Sequence, residues 1–403
     1  MKTIANGLIL KGLDLTPVKE NICVEDGKII EISKDVLEGE IIDVDGAIVC
    51  PSFINAHTHI GDSIIKDEGD GLSLGQIVKP PNGIKHLALE SAEDDEIIKV
   101  MQDSMWDMYN SGTSHFIDYR EGGVKGIKLL KEASKDIPIN PIIFGRDGSF
   151  YGEDPDLHQV KVAIRKLLKY ADGIAPSGFG EIEAEVAELI CEECKKAGKI
   201  SSIHVAENEG VQIESLAKTN KTEVERAIDA GFNQIVHMTN PKNDDINKLA
   251  NSNTSLTICP RSNGALSVGI VPLFDILSLG IKPLIGSDNI MFNSPNMFRE
   301  LEFTLKEMKA YSKNYINPKE ILKLATTNAC TDNFVSDNDS LNNDSLNNSS
   351  NNHSLINNLG LINKSFIGVG QNAEFFVCKN KSNNPYLSLI NRTELNDLLY
   401  LSY

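Results

Sequence analysis

Eight short apolar runs separated by helix-like stretches constrain this chain more than any other feature. They occupy residues 48–59, 113–119, 142–146, 173–176, 200–204, 234–237, 256–260 and 283–288, and after the second their ends fall about 23 to 33 residues apart. Between them lie amphipathic segments such as 181–198 and 222–231. The runs are near-continuous rather than alternating, as expected of parallel strands covered on both faces. Eight strand–helix units at this spacing predict an α/β fold, a (β/α)8 TIM barrel over residues 51–330. A doubly wound sheet is the alternative, but it more commonly has about five to seven strands.

The chain ends have a different texture. Residues 1–50 are short β-like pieces joined by turns, and Asp26-Gly27 between two apolar runs is a strong hairpin signal. Residues 359–403 return to that texture, with pieces at 365–369 and 373–378 followed by a tail. Matching ends that flank a barrel predict one small composite β-sandwich built from both. Residues 331–358 differ again: Asn, Ser and Asp dominate, and Asp-Ser-Leu-Asn-Asn at 339–343 is repeated at once at 344–348. Such a segment buries too little apolar area to offset its ordering entropy, so it reads as a disordered surface insertion.

Composition narrows the function classes. The chain carries 39 Lys+Arg against 57 Asp+Glu, a net charge of −18, and nucleic acids and anionic membranes attract the opposite balance. No apolar run approaches the roughly 20 residues that span a bilayer, and no secretory leader pattern opens the sequence. Seven scattered cysteines fit reduced thiols better than a disulfide framework. The expectation is a cytoplasmic protein with a small-molecule substrate, no nucleic-acid or membrane partner, and a homo-oligomeric state left open.

Residues with ligand chemistry gather where the runs end, which is where barrel enzymes build their sites. The first run ends in His57-Thr58-His59, and residues i and i+2 of a strand point the same way, so both imidazoles aim at one place. The fifth ends in His204, with Glu207 shortly after, the sixth in His237, the seventh in Cys259-Pro-Arg-Ser-Asn263 and the eighth in Asp288. Any one of these histidines alone would more often be a packed, hydrogen-bonded residue. Together with Asp288 they describe a site for a divalent ion such as Zn2+ or Fe2+. Cys191-Glu-Glu-Cys194 has no second pair nearby and lies in a helical pattern, so it reads as packing.

The run from Pro51 to His59 resembles the first metal motif of the amidohydrolase superfamily. His204-Val-Ala-Glu207 is similar to the HxxE motif of its deaminase branch, and Gly286-Ser-Asp288 to its final strand motif. Cys259-Pro-Arg-Ser-Asn263 resembles the CPxSN motif of S-adenosylhomocysteine/methylthioadenosine, triazine and guanine deaminases. The flanking β-segments look like the composite β-sandwich of many members. The resemblance implies that His57, His59, His204 and Asp288 hold one divalent metal ion, Zn2+ first and Fe2+ second, which activates a hydroxide. It implies that Asp288 accepts the water's proton and that His237 stabilises the hydroxide or the developing oxyanion. Glu207 would shuttle a proton to the ring nitrogen and then the leaving amine. Arg261, Ser262 and Asn263 would meet the substrate. Two-metal members carry a Lys at the end of strand four, and residues 172–178 offer none, so a single ion is expected. The adenosylhomocysteine-type enzymes resemble one another in a Pro-His pair there, which this chain lacks.

Arg120 and Arg146 end the second and third runs beside Tyr119 and could bind a carboxylate or phosphate in bidentate fashion, which makes them candidate substrate contacts. The Gly- and Pro-rich excursion 62–90, carrying His86, could act as a lid. The expected function is hydrolytic deamination of an aminated heterocycle, at a C–N bond other than a peptide bond. The alternatives are cyclic-amide hydrolysis of the imidazolonepropionase kind and a non-catalytic scaffold; the intact ligand set and Glu207 stand against the latter.

Overall fold

The computed structural model describes residues 1–79, 82–242, 244–330 and 366–402. The Asn-rich insertion expected at 331–358 lies outside the described residues. Among the described residues fifteen strands form two sheets. The first five are β1 (Lys2–Lys11), β2 (Thr16–Glu25), β3 (Lys28–Ser33), β4 (Glu40–Asp43) and β5 (Ile48–Pro51). The barrel strands are β6 (Phe53–Thr58), β7 (Thr113–Arg120), β8 (Asn140–Gly145), β9 (Gly173–Ile174), β10 (Ile200–Val205), β11 (Gln234–His237), β12 (Ser255–Ile258) and β13 (Leu284–Ile285). Near the C-terminus come β14 (Phe375–Cys378) and β15 (Leu398–Ser402).

The barrel sheet runs in sequence order from β6 to β13 with parallel pairing throughout. A bridge between Thr58 and Asp288 joins its two edges. Its interior is filled by Ile54, Ile117, Phe144, Ala175, Val236 and Leu284, while the larger core lies between the strands and the surrounding helices. The fold is the (β/α)8 barrel that the eight runs predict.

The chain ends share one seven-stranded sheet, in the order β15-β14-β5-β1-β2-β3. It forks at β1, whose first half pairs with β4 and whose second half pairs with β5. The β2–β3 hairpin turns at Asp26 and Gly27, both with positive φ, as a two-residue turn of the favoured hand requires. Two sequence expectations need correction. The run 48–59 is not one strand: β5 belongs to the end sheet, and the chain crosses at Ser52 to begin the barrel with β6. The final segment is not merely a tail, because helix Pro385–Arg392 packs on helices Met297–Ser312 and Pro318–Leu324 and is followed by β15. No helix among the described residues is long and apolar enough to cross a membrane.

Candidate metal centre and active site

Three strand ends that carry site residues adopt left-handed backbone. Ala206, His237 and Asp288 have φ of 51°, 77° and 58°, an uncommon conformation for residues with a side chain. Such strain clusters where a fold must aim a functional group. Close approach of β13 to β6 also matters: a Cβ on Gly286 would lie 2.6 Å from the His57 backbone nitrogen, so only glycine lets Asp288 reach His57.

These elements gather the expected ligands. His57 Nε2 is 3.1 Å from Asp288 Oδ1, His59 Nε2 is 3.5 Å from the same oxygen, and His204 Nε2 is 3.3 Å from His57 Nε2. His57, His59 and Asp288 are buried. Two of the three outward ring nitrogens are held from behind, while His57 Nδ1 is buried without a hydrogen-bond partner. His59 Nδ1 lies 3.1 Å from both the Tyr119 carbonyl and Glu121 Oε1, and His204 Nδ1 lies 3.3 Å from the Ser177 carbonyl. Arg146 Nη2 also lies 3.1 Å from His59 Nδ1; in the tautomer with Nδ1 donating to these oxygens, each ring keeps a lone pair on Nε2 facing the centre. Ser262 Oγ donates to Asp288 Oδ2 at 2.7 Å.

Charge state follows from burial. It drives the His57 imidazole down to about 4 and those of His59 and His204 well below their usual value, so all three are neutral at pH 7. Burial alone would raise Asp288, but the imidazole of His57, 3.1 Å away, and those of His237 and His59 hold it well below the carboxylate range. Asp288 Oδ1 is buried without an aligned donor. Unprotonated imidazole nitrogens and a carboxylate oxygen, all within 3.5 Å of a neighbour, crowd lone pairs that repel unless a cation sits among them. These donors fit a divalent metal ion, with His57, His59 and His204 converging in one group and His57, His237 and Asp288 in another.

Beside this cluster, His237 Nδ1 is 3.0 Å from Asn263 Oδ1, and its Nε2 faces Glu207 Oε1 at 3.8 Å. Burial raises the Glu207 carboxyl. A cavity of about 400 Å³ lies above, lined by His59, His204, Glu207, His237, Asp288, Lys85 and Arg146 among others. It adjoins a second of about 1290 Å³, sharing Lys79, Arg146, Gly180 and Glu181.

Not every sequence candidate reaches this cavity. Arg146 lines it, although one face of its guanidinium is taken by Glu121 at 2.9 Å. Arg120 does not: it is 2% exposed and spends its charge on Glu121 at 2.7 Å and Asp118 at 3.6 Å. Tyr119 is wholly buried and bonds Ser202 and Gln234 inside the barrel. Arg261 pairs with Glu300 at 3.1 Å, and Ser262 and Asn263 brace Asp288 and His237. All three side chains lie against neighbouring side chains, outside the residues that line this cavity. Sequence reading missed Glu121 and Lys85. Glu121 directly follows Arg120, and Lys85 sits beside His86 in the expected lid; neither stands in a motif. Cys191 and Cys194 are buried on one helix, and burial pushes the Cys191 thiol up to about 12.

A model of the amidohydrolase family matches residues 48–331. A protein of Methanothermobacter thermautotrophicus, named by inference an aminohydrolase, is 43% identical over 402 residues, covering 100% of this chain and 97% of that one. The 5-methylthioadenosine/S-adenosylhomocysteine deaminase of Clostridium tetani is 30% identical over 333 residues, covering 77% of this chain and 75% of that one. Among solved structures, an adenosine deaminase from Xanthomonas campestris with bound zinc superposes with a TM-score of 0.79 at 15% identity, covering 100% of this chain and 91% of that one.

Proposed function

The chain belongs to the amidohydrolase family of hydrolases, and on that premise we propose that it deaminates an aminated heterocycle hydrolytically. In this reaction water adds to the ring carbon, the carbon–nitrogen bond breaks, and ammonia leaves. The observation that carries the reading is the neutral histidine cluster around ionised Asp288, with Glu207 poised across the same cavity. The name of the Clostridium tetani relative supports deamination over cyclic-amide hydrolysis.

His57, His59, His204 and Asp288 would hold one divalent ion, zinc in preference to iron(II), since imidazole with a single carboxylate suits zinc. When bound, the ion would supply Lewis acidity that lowers a water's pKa to about 7. Asp288, with Oδ2 fixed by Ser262, takes the proton of the attacking water at Oδ1. Glu207, whose burial favours the protonated form, delivers a proton to the ring nitrogen and then to the departing amine. His237, held at Nδ1 by Asn263, presents Nε2 to the developing charge. A cytoplasmic setting accords with seven cysteines, all among the described residues, that form no disulfide.

The test is ammonia release from a panel of aminopurines, their nucleosides, aminopyrimidines and aminotriazines, with zinc-loaded and chelator-stripped protein. Release from at least one of them, abolished by stripping and restored by zinc, is expected. Hydrolysis of a cyclic amide with no ammonia from any of the panel would overturn the reading.

A further inference from the structure

Between β6 and the helix Asp94–Asn110 the chain makes a roof over the inner cavity. It comprises the turn Ile60–Ile65 and the helices Leu74–Val78 and Ile84–Ser91. Ser73, Leu74, Gly75 and Val78 form part of the cavity wall. The roof's own apolar seal is small, with Ile65, Ile77 and Met291 as its buried members. Besides Asp62 in the turn, one charged residue reaches from it into the protein.

That residue is Lys85, 3% exposed. Its Nζ donates to Glu121 Oε1 at 2.8 Å and Asn289 Oδ1 at 3.3 Å, and lies 3.7 Å from Asp62 Oδ2. Of these three partners only Glu121 and Asn289 lie within hydrogen-bonding distance, and Asp62 is an ion-pair neighbour at longer range. Two of them lead straight to the metal centre. Glu121 Oε1 is the oxygen that receives His59 Nδ1 at 3.1 Å, and Asn289 follows Asp288 in the chain.

We propose that Lys85 is a positioning residue: through Glu121 it couples the seating of the roof to the orientation of His59 as a metal ligand. With the roof seated, the ammonium fixes Glu121 against His59 Nδ1, which sets the tautomer and the direction of the Nε2 lone pair. In return, a cation at Nε2 polarises the Nδ1–H and tightens its bond to Glu121, which holds Lys85 and the roof above it. Linkage makes the two effects equal. Arg120 and Arg146 still compensate Glu121 when Lys85 is gone, so the fold survives its replacement. The inference rests on the metal-centre reading proposed above, and its test separates the two.

The measurement is hydrogen exchange of peptides spanning 74–78 and 84–91, metal-free and zinc-loaded, in wild type and Lys85→Met, with zinc binding followed by chelator competition. Zinc should slow roof exchange in the wild type by about fivefold or more. In Lys85→Met that zinc effect should vanish, and zinc affinity should fall by the same factor. Lys85→Gln serves in its place if the methionine variant does not fold. Equal slowing in wild type and variant would overturn the role of Lys85. Zinc bound to the wild type without slowing the roof would overturn the coupling while leaving the centre intact. A wild type that binds no zinc would overturn the metal-centre reading and this inference with it.

Discussion

Metal ligands must be deprotonated, and at His57, His59 and His204 burial is the largest cause of this, pushing each imidazole down so that the ring is neutral at neutral pH. The same burial acts in the opposite sense on Glu207 and favours its protonated form. One environment therefore supplies both a ligand set and an acid. Glu207→Gln keeps the volume and the hydrogen-bonding capacity but cannot exchange a proton. Its kcat should fall by about 10²-fold or more while zinc content stays at the wild-type level; near-normal turnover would remove Glu207 from the mechanism. The ligands were legible in the sequence because a strand's period of two makes His57-x-His59 an instruction about direction. Lys85 and Glu121 were not legible. A lysine in a loop and an acid after an arginine acquire meaning only when folding brings them to within 2.8 Å of each other. Arg120 and Arg146 looked equivalent as strand-end cations, and only their placement on β7 and β8 sends one into ion pairs and the other to the cavity wall.

The two sheets meet at a polar seam among apolar elements. Ser52, where the chain crosses from β5 to β6, bonds Ser114 at 2.6 Å, Ser114 bonds His115 Nδ1 at 2.9 Å, and Glu374 just before β14 lies 3.9 Å from that nitrogen. Burial holds the His115 imidazole down at about 4 in the folded protein, against an ordinary 6.5 in the unfolded chain. Between those values the unfolded state binds more protons, so stability is present above pH 6.5 and is lost as pH falls through about 4. Glu374, raised by burial, favours its own protonated form and works in the opposite direction. The His115 share of the loss between pH 7 and 5 is on the order of 1 to 2 kcal/mol. Urea unfolding at the two values should therefore show a smaller drop in midpoint for His115→Gln than for the wild type, and equal drops would contradict it. This seam was half legible. The hairpin and the strand texture of both ends were readable, but the break at Ser52 hides inside one apolar run. The helix Pro385–Arg392 and β15 follow short segments whose apolar content resembles a loop's.

At the scale of the molecule, the barrel was readable because each strand and helix repeats the same demand, an apolar run covered on both faces and then an amphipathic stretch. Eight repetitions leave few architectures. The site was readable as chemistry and not as substrate, since the cavity walls come from the roof and from strand-end loops that share no sequence pattern. The account stands or falls on the holoprotein. Metal content should be measured for the purified wild type, His204→Asn and His237→Asn, each grown with added zinc. We expect about one equivalent in the wild type, its retention in His237→Asn, where four ligands remain, and its loss in His204→Asn. A wild type without metal, or a His204→Asn variant that keeps a full equivalent, would contradict the assignment of this barrel as a metal-dependent deaminase.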